Sequence, residues 1–184
     1  ERARLITGRE LAEGDVLIGL PSPNLRSNGY SLARRVFFDV AGRSLDAPAY
    51  RGAHHSVADE LLAPSVIYAP AVLALREAVD VHGVAHITGG GIPGNLGRLL
   101  PGHLDALVDR RRWERPAVFD EIQRLGDIND EEMAKVFNLG IGMVVIVPRS
   151  GALRALDALR ASGHGAVEIG ELVAGSGRVQ LVNR

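Results

Sequence analysis

Apolar positions fall along this chain in two rhythms. Short apolar-rich runs at Val16 to Leu20, Val84 to Thr88, Leu104 to Asp109 and Gly142 to Val147 sit between glycine, proline or charged residues. Their length and bounding residues predict buried strands. Val167 to Val173 and Val179 to Val182 read as two more, paired like a hairpin around Gly175-Ser176-Gly177. Between them the spacing lengthens to the helical period. Val72, Leu75 and Val79 make one stripe, with Pro70 fitting a first helical turn and an end near Asp80. Val118, Ile122 and Leu125 make another, ending at Gly126. Leu153, Leu156 and Leu159 are read as the apolar face of a helix that shows Arg154, Asp157 and Arg160 on its other side and stops at Gly163.

Capping chemistry supplies further helix limits. Ser27 or Asn28 can cap a helix over Ser31 to about Val40, and Asn129 followed by Glu132 resembles a capping box for a helix to Phe137. A short helix over Val57 to Leu62 stops before Pro64, and Pro93 opens another to about Leu100. Gly42 to Ser56 has no period and is read as a surface connection. Glu1 to Gly14 reads as a leader ahead of one domain over 15–184. Helices and strands mix without strict alternation, which predicts an α+β fold with helices packed on a mostly antiparallel sheet.

Composition narrows the class. At 184 residues the chain can bury roughly 70% of its unfolded surface, enough for a full core. It has no cysteine, which excludes disulfides and thiolate metal sites and fits a reducing cytosol; a cytoplasmic location is expected. A net charge of −1 gives no global electrostatic case for nucleic acid, and no apolar run approaches the length that spans a bilayer. The chain begins Glu1-Arg2-Ala3-Arg4, without an initiator Met or a signal peptide, so a fragment of a longer protein is expected.

The strongest chemical signal is His86-Ile87-Thr88-Gly89-Gly90-Gly91-Ile92-Pro93-Gly94-Asn95, a strand feeding a triple-glycine loop feeding a helix. Glycines let backbone N–H groups approach a ligand with no Cβ in the way. A helix start adds unpaired donors, which suits phosphate. Thr88, Gly89, Gly90, Gly91 and Asn95 are therefore the first candidates for phosphate contact. A purely structural tight turn is the alternative. The pattern is neither Walker A nor G-x-G-x-x-G, so spacing does not name the ligand. Ser27 and Asn28 are second candidates, in a polar loop where they either reach a ligand or cap the helix. Asn138 is third, in Val136-Phe137-Asn138-Leu139-Gly140-Ile141-Gly142-Met143, where the glycines either admit a ligand or fit a bend. His86 is read as a satisfied core histidine. His54-His55 near Asp59 and Glu60, and the basic run Arg110-Arg111-Arg112-Trp113 with Arg115, are read as solvated surface rather than as metal or phosphate sites. No catalytic residue and no metal site is assigned.

Taken in order, Gly14 to Ser22, Ser27 to Ser31, the His86 to Asn95 loop and Val136 to Met143 resemble the C-terminal half of the aminoimidazole ribonucleotide synthetase (phosphoribosylformylglycinamidine cyclo-ligase) family. Leu61-Leu62-Ala63-Pro64 with Ile67-Tyr68, and Trp113 with Pro116 and Phe119, are similar to intervening family segments. The resemblance implies one half of a two-domain enzyme, homodimeric through its N-terminal domain. ATP phosphorylates the amide oxygen of formylglycinamidine ribonucleotide, and an internal nitrogen then closes the imidazole ring. It implies ATP and Mg bound mostly by the N-terminal domain, whose acidic motifs are not in this sequence, so the chain alone is not expected to turn over. Neither a nucleic-acid nor a membrane partner is implied. The chain departs from the family at Asn24, at Arg26 (usually His), at Ser65-Val66 (usually Thr-Arg) and at Gly94 (commonly acidic). A divergent paralogue of the same ATP-binding superfamily, such as a selenophosphate synthetase-like or thiamine phosphate kinase-like protein, and a stand-alone phosphometabolite-binding domain remain as alternatives. The upstream coding sequence separates them.

Overall fold

The computed structural model describes residues 5–183. Six strands form one mixed, mostly antiparallel sheet: β1 Val16–Pro21, β2 Gly83–His86, β3 Leu104–Asp109, β4 Ile141–Val147, β5 Val167–Ala174 and β6 Val179–Val182. Their order across the sheet is β2-β4-β1-β5-β3-β6, and only the β3–β6 pair is parallel. The helices are α1 Tyr30–Arg34, continued by a π-helical stretch Arg35–Val40, then α2 Val57–Leu62, α3 Ala69–Ala78, α4 Gly91–Leu96, α5 Ala117–Gly126, α6 Asp130–Val136 and α7 Ala152–Ala161. The expected α+β architecture is what forms.

Burial on both faces explains the unbroken apolar runs of β1 and β4. Leu17, Val144 and Ile146 point to one side, where Ile92 and Leu96 of α4 join Ala106, Val108, Ile169 and Leu172. Val16, Ile18, Leu20, Val145 and Val147 point to the other, against Ala71 and Leu75 of α3 and Ala155, Leu156 and Leu159 of α7. A strand covered on both sides has no polar face and loses the two-residue alternation. A third cluster joins α1, α2, α5 and α6 through Phe37, Val57, Phe119, Met133 and Phe137, with the Phe119 and Phe137 rings 5.5 Å apart.

Three sequence expectations fail in instructive ways. β5 and β6 do not form a hairpin, because β3 lies between them. The buried Asp105 carboxylate of β3 accepts from the Ser176 and Arg178 amides at 2.6 and 2.8 Å and from Gln180 Nε2 at 2.9 Å. That carboxylate turns the chain past β3 and onto its far edge. In α7, Leu153 is exposed and the buried stripe is Ala152, Ala155, Leu156 and Leu159; small residues on the core face let the helix lie close to the sheet. In α1, neither Ser27 nor Asn28 caps: the N-cap is Gly29 in the left-handed conformation with no side-chain bond. Asn129 does cap α6, accepting from Glu132 N at 2.8 Å. Leu11 enters the core beside the sheet and Gly14 N donates to Leu172 O, so the end of the leader segment packs with the body.

Candidate functional site

Topology alone brings the three sequence motifs together. β1 and β2 both run antiparallel to β4 and flank it, so their C-terminal ends and the N-terminal end of β4 share one end of the sheet. Pro21 pairs with Ile141 and His86 with Met143. The loop after β1 carries Ser27 and Asn28, the loop after β2 carries the three glycines, and the loop before β4 carries Asn138. A Cβ on Gly89 would lie 3.7 Å from Asn28 Oδ1, so the first two loops touch.

The glycine loop is held from beneath by Asn95. Its Nδ2 donates to the carbonyl of Gly91 at 2.7 Å and lies within reach of those of Thr88 and Gly89, at 3.2 and 3.3 Å. Thr88 Oγ1 donates to Asn95 Oδ1 at 2.9 Å. Gly90, with φ 101°, is the N-cap of α4, and Gly91, with φ 59°, follows it. Both angles favour glycine. Gly91 is also fixed by packing: a Cβ there would sit 1.8 Å from Ala134 O of α6. Helix α4 starts at Gly91, two residues before the expected Pro93, and covers six residues. Among the described residues no protein acceptor takes the N–H groups of Gly89 and Gly90. Those loop amides, more than the short helix, are the donors available to an anion.

Asn138 is buried and engaged at both ends. Its Nδ2 donates to Asn24 O at 2.9 Å and its Oδ1 accepts from Gly140 N at 2.8 Å. It ties the loop before β4 to the loop after β1. The neighbouring glycines admit protein rather than ligand. A Cβ on Gly142 would fall 2.1 Å from Tyr68 Oη and 2.9 Å from Arg26 Nη1. Asn95 and Asn138 are thus scaffold for the loops. Ser27 is exposed and Asn28 half-buried, and neither side chain bonds to protein among the described residues. They, with Gly89 and Gly90, form the open surface of the cluster.

A family model described as AIR synthase related protein, C-terminal domain, matches residues 12–182. This chain belongs to that family. Relatives named phosphoribosylformylglycinamidine cyclo-ligase are 45% identical over 99% of the chain in Myxococcus xanthus (strain DK1622) and 44% identical over 93% in Thermodesulfovibrio yellowstonii (strain ATCC 51303 / DSM 11347 / YP87). The chain covers 52% and 50% of those two proteins, so it spans about half the length of the relatives it matches. The thiamine-monophosphate kinase of Stenotrophomonas maltophilia K279a matches in fold with TM-score 0.63, 14% identity, 100% of this chain and 55% of that one. The hydrogenase maturation protein HypE in complex with ATP does so with TM-score 0.62, 21% identity, 95% of this chain and 49% of that one.

What the structure adds to the expected site is Arg26, with Tyr68 and His86. Arg26 is 8% exposed, has φ 62°, and has no carboxylate partner among the described residues. A buried cation is costly unless its donors are met. Nη1 donates to Gly142 O at 2.8 Å and approaches Ile87 O at 3.4 Å, Nη2 pairs with His86 Nε2, and the guanidinium lies over the Tyr68 ring, 5.2 Å from its centre. Nε is buried without a partner. Tyr68 donates to Pro21 O at 2.7 Å, and burial raises its pKa against the opposing pull of Arg26. His86 is exposed, not a core histidine. Desolvation and then the Arg26 charge hold its pKa below the ordinary value. Sequence reasoning met Arg26 only as a departure from the family and Tyr68 only within a family-like segment, because a lone arginine in a loop and a tyrosine before a helix carry no spacing signal.

The other sequence candidates stay apart from this cluster. His55 pairs with Glu60 at 2.8 Å, and Arg110, Arg111, Arg112 and Arg115 face Asp130, Asp109 and Asp120. A cavity of about 200 Å³ opens at the opposite end of β2, lined by residues 5–10, Arg76, Asp80 and His82.

Proposed function

We propose that this chain is the C-terminal half of a phosphoribosylformylglycinamidine cyclo-ligase, which uses ATP to close the imidazole ring of formylglycinamidine ribonucleotide. The observation that carries the reading is identity of about 45% to cyclo-ligases over nearly the whole chain, coinciding with their half-length. The geometry fits it: the loops after β1, after β2 and before β4, which carry three of the family motifs, meet at one end of the sheet. The free amides of Gly89 and Gly90, flanked by Ser27 and Asn28, suit the phosphate of a ribonucleotide. Most of the rate gain in such a ring closure comes from positioning and charge stabilisation, which fixed backbone donors supply at little reorganisation cost.

This half forms one wall of the site. ATP supplies the activating phosphoryl group. Among the described residues no three His, Asp or Glu side chains come together as a metal requires, so Mg ligands would come from the other half. We take residues 1–14 as the connection to that half, and homodimerisation as a property of the whole protein. Among the described residues no helix is long and apolar enough to cross a membrane.

Calorimetric titration with ribose 5-phosphate, Mg·ATP and formylglycinamidine ribonucleotide tests the assignment. The full-length protein binds the ribonucleotide, and Gly90→Val abolishes that binding. Ribonucleotide binding unchanged by Gly90→Val would remove the glycine loop from the site.

A further inference from the structure

The reading above accounts for the glycine loop but leaves unused the one buried cation at its edge. Arg26 reaches across the end of the sheet from the β1 loop to the C-terminal end of β2. Its Nη1 is anchored on Gly142 O of β4, so the guanidinium plane is fixed, and Nη2 points at His86 Nε2. Arginine is always protonated and offers donors only, so the histidine nitrogen facing it must be an acceptor. His86 is then neutral with its proton on Nδ1. No protein group takes that Nδ1–H among the described residues, and the residue is exposed at the head of the glycine loop, two positions before Thr88.

From this geometry we propose that His86 is a ligand-contacting residue, presenting a fixed Nδ1–H donor to an anion seated on Gly89 and Gly90, and that Arg26 is the positioning residue that sets its tautomer. The ligand class is a phosphate ester such as a sugar phosphate. The inference rests on the glycine-loop reading for the seat of the anion, but not for the state of the histidine. Charged and titratable groups facing the pair are few: Tyr68 lies beneath Arg26, and His164 lies against Tyr68 with ring centres 5.5 Å apart. No carboxylate faces the pair among the described residues, so nothing nearby favours the imidazolium. An imidazolium would also donate from Nδ1, so what Arg26 fixes is which nitrogen of the neutral ring carries the proton.

Two readouts test the proposal on the full-length protein with ¹⁵N-labelled histidine. Ring-nitrogen NMR at pH 7.5 shows His86 with Nδ1 protonated and Nε2 bare, and on acidification the wild-type ring titrates at a lower pH than the ring of Arg26→Met. A wild-type His86 carrying its proton on Nε2, or titrating near the ordinary histidine value, would overturn the positioning role. Calorimetry with ribose 5-phosphate as probe gives about tenfold weaker binding for His86→Ala, roughly one lost hydrogen bond to a charged group. Arg26→Met weakens binding by a similar factor, and the double variant is no weaker than either single one, because Arg26 acts through His86. His86 is exposed, so His86→Ala keeps the ligand arm decisive even where Arg26→Met folds poorly. If Gly90→Val abolishes binding while His86→Ala leaves it unchanged, this proposal falls and the glycine-loop reading stands. If the wild type does not bind ribose 5-phosphate at all, both fall together.

Discussion

Gly91 and Gly94 lie three residues apart in α4, yet their environments set opposite expectations. At Gly91 a methyl group meets the Ala134 carbonyl at 1.8 Å and the residue has φ 59°. Backbone cannot yield as a flexible side chain does, so α4 and α6 would have to part. Gly91→Ala should cost about 3 kcal/mol, combining left-handed strain with overpacking. At Gly94 nothing lies within 4 Å of an added Cβ. Gly94→Ala should stabilise by about 0.5–1 kcal/mol through helix propensity and a restricted unfolded chain. Urea denaturation of the two variants beside the parent checks both signs. The same local reading separates the asparagines. Asn95 and Asn138 were candidates for phosphate contact, but each amide is engaged by backbone within the loops it joins. Ser27 and Asn28, ranked behind Asn95 in sequence, are the side chains left open. A polar residue beside a glycine loop looks the same in sequence whether it faces the ligand or the loop's own carbonyls.

At the scale of elements, Asp105 is the clearest determinant. It holds the turn after β5 through the Ser176 and Arg178 amides and so delivers β6 to the far edge of β3. Those hydrogen bonds, the Arg178 amide first, hold its carboxyl below the ordinary carboxylate range. The sign follows from linkage: a depressed carboxyl contributes stability that is present above its unfolded pKa, about 3.9, and is lost as pH falls through the lower folded value. Asp105→Asn should therefore lower the melting temperature at pH 6 and flatten its fall as the pH drops below about 4. Thermal melts across that range read both. The strands themselves were legible, with limits within two residues, because length and bounding glycine or proline do not depend on partners. The pairing of β5 and β6 was not, because Gly175-Ser176-Gly177 looks like a hairpin turn and the carboxylate that redirects it lies 70 residues away in β3. Leu153 failed for a different reason. Its spacing with Leu156 and Leu159 suggested a face, but alanines at 152 and 155 occupy the core side and allow a closer approach to the sheet.

At the scale of the whole molecule, the sheet order explains how motifs more than 100 residues apart become one surface. The β1 and β2 ends flank the β4 start, Asn138 ties two of the loops and Arg26 bridges all three strands. This arrangement makes a wall rather than an enclosed pocket, with donors facing outward. A wall of that kind, in a chain that covers about half its relatives' length, fits the proposed sharing of the site with a second half. The measurement that addresses this most directly is steady-state formation of ADP and aminoimidazole ribonucleotide from Mg·ATP and formylglycinamidine ribonucleotide. It compares this chain alone, the full-length protein and full-length Gly90→Val. The account predicts turnover by the full-length protein, none by the chain alone, and a loss of at least a hundredfold in kcat/KM for Gly90→Val, the scale of removing positioned donors from a charged site. A folded full-length protein that fails to form aminoimidazole ribonucleotide, or a Gly90→Val variant that matches the wild type, would contradict it.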